Sequence, residues 1–194
     1  MSSLRLVREP EKTTPILPNA VLGTLFFIIA EAMLFAGFIS GYIVVAANYP
    51  PGMWPPPDQP RLPVEVTAAT TTMLLASGLL LWWAGRRFAE SPEAAARPMG
   101  LAVLLGSLFV GIQGVEWARL IGEGLTLTSS SFGGFFYVIV GAHAMHAIPA
   151  ILILVRQRLA LGRGELKSDA FAAARLFWYF VVLVWPALYW TVYL

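Results

Sequence analysis

AVLGTLFFIIAEAMLFAGFISGYIVVAA, residues 20–47, is apolar all the way round apart from one carboxylate, Glu31. A bilayer core of about 30 Å needs roughly 20 such residues in helical form. The run is too long for the apolar stretch of a secretory signal, and no small-residue cleavage pattern follows it. It therefore reads as a retained membrane-spanning helix. Residues 1–19 before it are polar and broken by proline, and are expected to form a short cytoplasmic tail.

Four further runs of the same kind follow, at about 66–85, 99–121, 131–155 and 171–194. Irregular backbone and open strand edges are not viable against lipid, so each run predicts a helix. The expected fold is all-α: a polytopic bundle of five transmembrane helices forming one domain over 1–194. Composition agrees. Hydrophobic residues make up 58% of the 194 positions and the mean hydropathy is +0.71. Charged residues are only 12%, against about 25% in a soluble domain. So few charges cannot cover a water-exposed surface, and the basic residues lie mostly between apolar runs, which argues against nucleic-acid binding.

Lysine and arginine set the orientation. Arg5, Arg8 and Lys12 precede the first helix, and Arg86, Arg87 and Arg97 follow the second. Arg156, Arg158, Arg163, Lys167 and Arg175 follow the fourth, making eleven on one side against Arg61 and Arg119 on the other. The expected topology has the N-terminus cytoplasmic and the C-terminus outside. Trp82, Trp83, Trp117 and Trp190 fall near the predicted interfaces, whereas Trp185 is nearer mid-membrane and is expected inside the bundle. The outer segment NYPPGMWPPPDQPRLPVE, residues 48–65, carries seven prolines. It is expected to be extended and stiff, either as a rigid connector or as a strap for a partner.

Ionisable groups at membrane depth are the first place to look for function. Glu31 lies about 16 Å from the inner end of its run and His143 about 18 Å from the outer end of its own, so both fall at similar depth. His143 and His146 are spaced i, i+3, on one helix face. Two histidines on one face cannot ligate both sides of a haem. A metal site would have to draw on Glu31, Glu116, His143 and His146, without the paired Glu-x-x-His repeats of a di-iron bundle. The plainer reading is that these groups and Gln113 hydrogen-bond across helices 1, 3 and 4 and fix their packing. A mid-membrane glutamate could also exchange a proton. Gly37 and Gly41, with Gly134, Gly141 and Ala144, form small-residue stripes that would let helices approach closely. Cysteine is absent, which excludes disulfides, thiolate metal sites, iron–sulfur clusters and covalent c-type haem.

The motifs resemble subunit III of the haem-copper oxidases in a short five-helix form. FIIAEAMLFAGF (27–38) is similar to a family helix with a mid-membrane glutamate, here Glu31. WPPP (54–57), TTTMLLASG (70–78), GIQGVEW (111–117) and FGGFFYVIVGAHAMHAI (132–148) are also similar to family patterns; the last contains His143 and His146. FWYFVVLVWPALYWTVYL (177–194) looks like the closing helix, with two departures: Tyr179 stands where the family usually has histidine, and Val182 where it has aspartate. Any role of that polar cluster is in doubt here, and an accessory subunit of a nitric oxide reductase is a related alternative.

The resemblance implies a non-catalytic subunit that flanks catalytic subunit I, binds phospholipid and supports proton uptake, in the inner membrane of a prokaryote. Haem and copper would reside in the partner and none in this chain. The histidine count agrees independently: a haem-copper catalytic subunit needs six histidine ligands as the family is known, and this sequence has two. A proton-coupled transporter using Glu31 is the alternative from another class. It lacks internal repeats, and Pro149 and Pro186 do not occupy corresponding halves. An intramembrane enzyme lacks a nucleophile–base pair, since Ser40 and Ser77 are solitary.

Overall fold

The computed structural model describes residues 17–194; the predicted tail up to residue 16, with Arg5, Arg8 and Lys12, lies outside them. Five long α-helices make up the fold: α1 (Asn19–Ala47), α2 (Val64–Glu90), α3 (Ala96–Gly122), α4 (Ser131–Gly162) and α5 (Ser168–Tyr193). All five are long and apolar enough to cross a membrane, and no strand occurs among the described residues. A single 3₁₀ turn, Glu93–Ala95, joins α2 to α3.

The helices overrun the apolar runs mainly at one end, where hydropathy stops but helical hydrogen bonding does not. α2 continues through Arg86 and Arg87 to Glu90. Arg86 lies 5.1 Å over the Trp82 ring and Arg87 5.4 Å over Trp83, so the cations rest on the belt aromatics of the same helix. α4 continues past Arg156 and Arg158 to Gly162, and Arg158 Nε donates to the Ala96 carbonyl at 3.0 Å. Arg156 and Arg158 thus belong to a helix rather than to a connecting loop.

α5 is the hub, packed against α1, α2 and α4 and touching α3 through Trp178 and Trp185; α3 packs against α2 and α4, and α1 mainly against α4 and α5. α1 is the peripheral helix, with only Val21, Phe35 and Tyr42 buried. The core is aromatic where α5 meets its neighbours. Trp178 and Trp185 are fully buried, Trp185 as its mid-helix position predicts. Trp178 Nε1 donates to Ser77 Oγ at 3.0 Å, and Ser77 Oγ donates to the Ala102 carbonyl at 2.9 Å. One ring therefore ties α5 to α2 and, through the hydroxyl, to α3.

Close helix approach occurs elsewhere than the glycine stripes suggest. Gly37 and Gly141 have nothing within 4 Å of where a Cβ would stand, and Gly41 meets only the Phe135 ring, at 3.1 Å. The tight places are on α2 and α3 toward α5. A Cβ at Gly106 would lie 2.6 Å from Trp178, and one at Gly78 would lie 3.0 Å from Val182. Glycine is used where a large α5 side chain lies flat on a neighbouring backbone, which spacing along α1 or α4 cannot reveal. Gly106→Ala is expected to destabilise the chain by about 1–3 kcal/mol by overpacking. Thermal release of the chain from its purified assembly measures this; unchanged release would show that the Trp178 ring can shift freely.

The proline-rich connection between α1 and α2 folds onto its own chain. Trp54 Nε1 donates to Tyr42 Oη at 3.1 Å, and its ring meets those of Tyr49 and Phe132. Ser129 Oγ, before α4, donates to Gln59 Oε1 at 3.0 Å. The segment straps the ends of α1 and α4 together.

Candidate functional site

The polar groups inside the helices fall into separate places, not one network. Glu31 on α1 and His146 on α4 come together, with Oε2 and Nε2 2.9 Å apart and side-chain exposures of 19% and 14%. The contact is off the axis of a linear hydrogen bond, so it is a close polar pair that a small ring rotation would convert into one. His146 Nδ1 lies 2.7 Å from the Ala142 carbonyl. A carbonyl only accepts, so Nδ1 carries hydrogen. The pair is the polar side-chain contact that holds α1 on α4 among the described residues.

The pair lines an open groove of about 800 Å³ between α1 and α4, walled by Phe27, Leu34, Phe38, Met145 and Pro149. The groove is long and largely apolar, with Asn19 and Thr24 toward one end and the Glu31–His146 pair in its wall. Such a shape suits a chain-like apolar ligand whose polar part meets the Glu31–His146 pair.

His143 is buried and apart from that groove. Its ring lies 4.7 Å from Trp185, 6.2 Å from Phe109 and 6.5 Å from Phe35. Phe35 also stands 5.4 Å from His146, so one α1 side chain packs against both rings presented by that face of α4. Gln113 does not bond α1 or α4: its Nε2 donates to Thr70 Oγ1 on α2 at 2.7 Å. Trp185 Nε1 donates to Thr71 Oγ1 at 2.8 Å. Glu116 stays half-buried near the end of α3, and the ion pair at that end joins Arg119 to Glu123 at 2.8 Å. The expectation that helices 1, 3 and 4 share one polar network is corrected accordingly. α1 is joined to α4 by Glu31 and His146, whereas α3 is joined to α2. No group of three metal-binding side chains occurs among the described residues.

At the divergent positions, Val182 packs on Gly78, and both Tyr179 and Val182 line an apolar groove of about 560 Å³ between α2 and α5. An aspartate at 182 would place a carboxylate against the Gly78 backbone in that apolar wall. In the sequence, Thr70 and Thr71 stand out only as part of TTTMLLASG and Ser77 only as a solitary serine, yet all three bond across helices. A hydroxyl on a membrane helix usually bonds its own backbone. Thr71 does so, donating to the Thr67 carbonyl at 2.7 Å, and still accepts from Trp185.

Known proteins match nearly the whole chain. The family model of cytochrome c oxidase subunit III matches residues 9–194. A probable cytochrome c oxidase subunit 3 of Nocardia farcinica is 31% identical over 184 residues, covering 91% of this chain and 88% of its own. The cytochrome c oxidase subunit 3 of Corynebacterium diphtheriae is 31% identical over 181 residues, with the same coverage of 91% and 88%. That of Gallus gallus is 31% identical over 179 residues, which are 88% of this chain but 67% of the bird protein. The chain therefore resembles the bacterial relatives in extent as well as in sequence, and it belongs to the cytochrome c oxidase subunit III family.

Proposed function

We propose that this chain, as a single transmembrane domain, flanks catalytic subunit I of a respiratory haem-copper oxidase in the cytoplasmic membrane of a prokaryote and holds phospholipid against it. Members of the family are non-catalytic accessory subunits, and in this reading haem and copper reside in the partner. The basic asymmetry of the connecting segments supports a cytoplasmic N-terminus and an external C-terminus.

The observation that carries the lipid role is the groove at Glu31 and His146. It is largely apolar, open at the side of the least buried helix, and has the Glu31–His146 pair set into its wall. A carboxyl group beside an imidazole at membrane depth supports a part in proton supply. His143, Gln113 and Glu116 do not join that pair. Their place in this reading is to position α3 and α4 behind the groove.

Affinity purification of the tagged chain from its native membranes in mild detergent tests the assignment. Haem absorbance and a large histidine-rich subunit in stoichiometric amount are expected in the eluate, with phospholipid detectable by mass spectrometry. A colourless eluate from membranes that contain the oxidase, under even the mildest extraction, would overturn it.

A further inference from the structure

A second cavity, of about 110 Å³, lies between α3 and α4 and is lined by Phe109, Gln113, Trp117, His143, Ala147 and Trp185 among others. It is separate from the groove at Glu31. Gln113 and His143 are almost fully buried, and Trp117 is half-buried. Gln113 Oε1 and both ring nitrogens of His143 are buried polar atoms without a hydrogen-bond partner among the described residues, whereas the Trp117 side chain has Tyr193 as a partner. Buried polar atoms are rarely left unpaired, and three around one cavity require an explanation.

The orientation of the Gln113 amide follows from its neighbours. Thr70 Oγ1 donates its hydrogen to the Thr67 carbonyl at 3.1 Å, so toward Gln113 it can only accept. The atom at 2.7 Å from it must then be Gln113 Nε2, which leaves Oε1 for the cavity. That oxygen only accepts, and neutral His143 offers one donor and one acceptor. A cation would leave the His143 N–H unpaired; an anion would leave Gln113 Oε1 unpaired. An acyl chain would serve none of them. The complement is a small molecule that both donates and accepts.

We infer that the cavity between α3 and α4 is a structural water site, held by Gln113 Oε1 and His143. Its size admits more than one water by the usual measure of about 10–15 Å³ each, and the polar partners meet the two to four that a buried water needs. The bound water would link α3 to α4 where no direct side-chain hydrogen bond joins them among the described residues. The direct link between these helices, Arg158 Nε to the Ala96 carbonyl, lies at their opposite ends. The polar atoms in the argument all belong to this chain, so the inference stands or falls separately from the assignment of its partners.

Cryo-electron microscopy of the native assembly, at a resolution that shows ordered water, tests this. At least one rounded peak is expected within about 2.7–3.2 Å of Gln113 Oε1 and, at the same time, of a His143 nitrogen. The Gln113→Met assembly is expected to lose that peak while α3 and α4 keep their places. Tubular density of an acyl chain, an inserted partner side chain, or a closed cavity with these atoms paired to protein would each overturn the inference. A peak that persists unchanged in Gln113→Met would also overturn it. If the variant does not assemble, the map of the unaltered protein decides.

Discussion

Trp178→Ala is expected to destabilise the bundle by about 3 kcal/mol and to release the chain from its assembly at a markedly lower temperature. Truncating a fully buried tryptophan in a water-soluble core costs about 3–5 kcal/mol. The lower end applies here, because in a bilayer the separated helices keep the ring in hydrocarbon and only packing and hydrogen bonds are lost. The ring lies flat on Gly106, and its Nε1 donates to Ser77 Oγ, so the loss opens a hole at the junction of α2, α3 and α5. Two companion variants separate these contributions. Trp178→Phe retains most of the volume and loses one donor, for about 1 kcal/mol. Ser77→Ala leaves Nε1 buried and unpaired, which costs about 1–3 kcal/mol. Thermal release of each variant from the purified assembly gives the ranking. If Trp178→Ala costs no more than Trp178→Phe, the helices close up around the missing ring and α5 is not the hub described above.

The five helices are legible in the sequence because lipid permits few alternatives once an apolar run is long enough. Their ends are less so. α2 and α4 carry arginines well past the apolar stretch, and hydropathy cannot see that the helix continues under them. Glu31 is legible as a candidate because any carboxylate at that depth is costly. Its partner is not, since His143 and His146 share a helix face at nearly the same depth. The register between α1 and α4 decides between them, and that register is a property of packing. The cross-helix bonds of the α2 hydroxyls are hidden for a similar reason. Whether a threonine on a membrane helix bonds a second helix depends on what stands opposite, and Gln113 and Trp185 stand opposite Thr70 and Thr71 only once the bundle has formed. The glycines repeat the lesson. The stripe on α1 is regular yet faces open space at Gly37, whereas Gly106, in no motif, has the Trp178 ring where a Cβ would stand.

Glu31→Gln is expected to leave assembly intact while shortening the working life of the oxidase or slowing its proton uptake. Glutamine has nearly the volume of glutamate and keeps a polar contact with His146. With Nδ1–H directed at the Ala142 carbonyl, neutral His146 presents Nε2 as an acceptor, and the glutamine amide can donate to it. What the substitution removes is the exchangeable proton. Glu31→Leu removes the contact as well, and should add a stability loss of about 0.6–1.7 kcal/mol, the range of interhelical polar pairs measured in a membrane protein. Comparing the two variants separates chemistry from packing. The initial oxidase rate of Glu31→Gln should fall far less than the roughly 100-fold or more that follows removal of a direct proton-transfer group, because the reacting centres lie in another subunit. The sensitive readouts are the number of turnovers before inactivation and the rate of proton uptake by reconstituted vesicles. If Glu31→Gln fails to assemble to the same degree as Glu31→Leu, the pair serves packing alone. If it assembles and both readouts match those of the unaltered oxidase, the exchangeable proton has no part in turnover. The groove would then hold lipid by shape, with the Glu31–His146 pair serving only to keep α1 on α4.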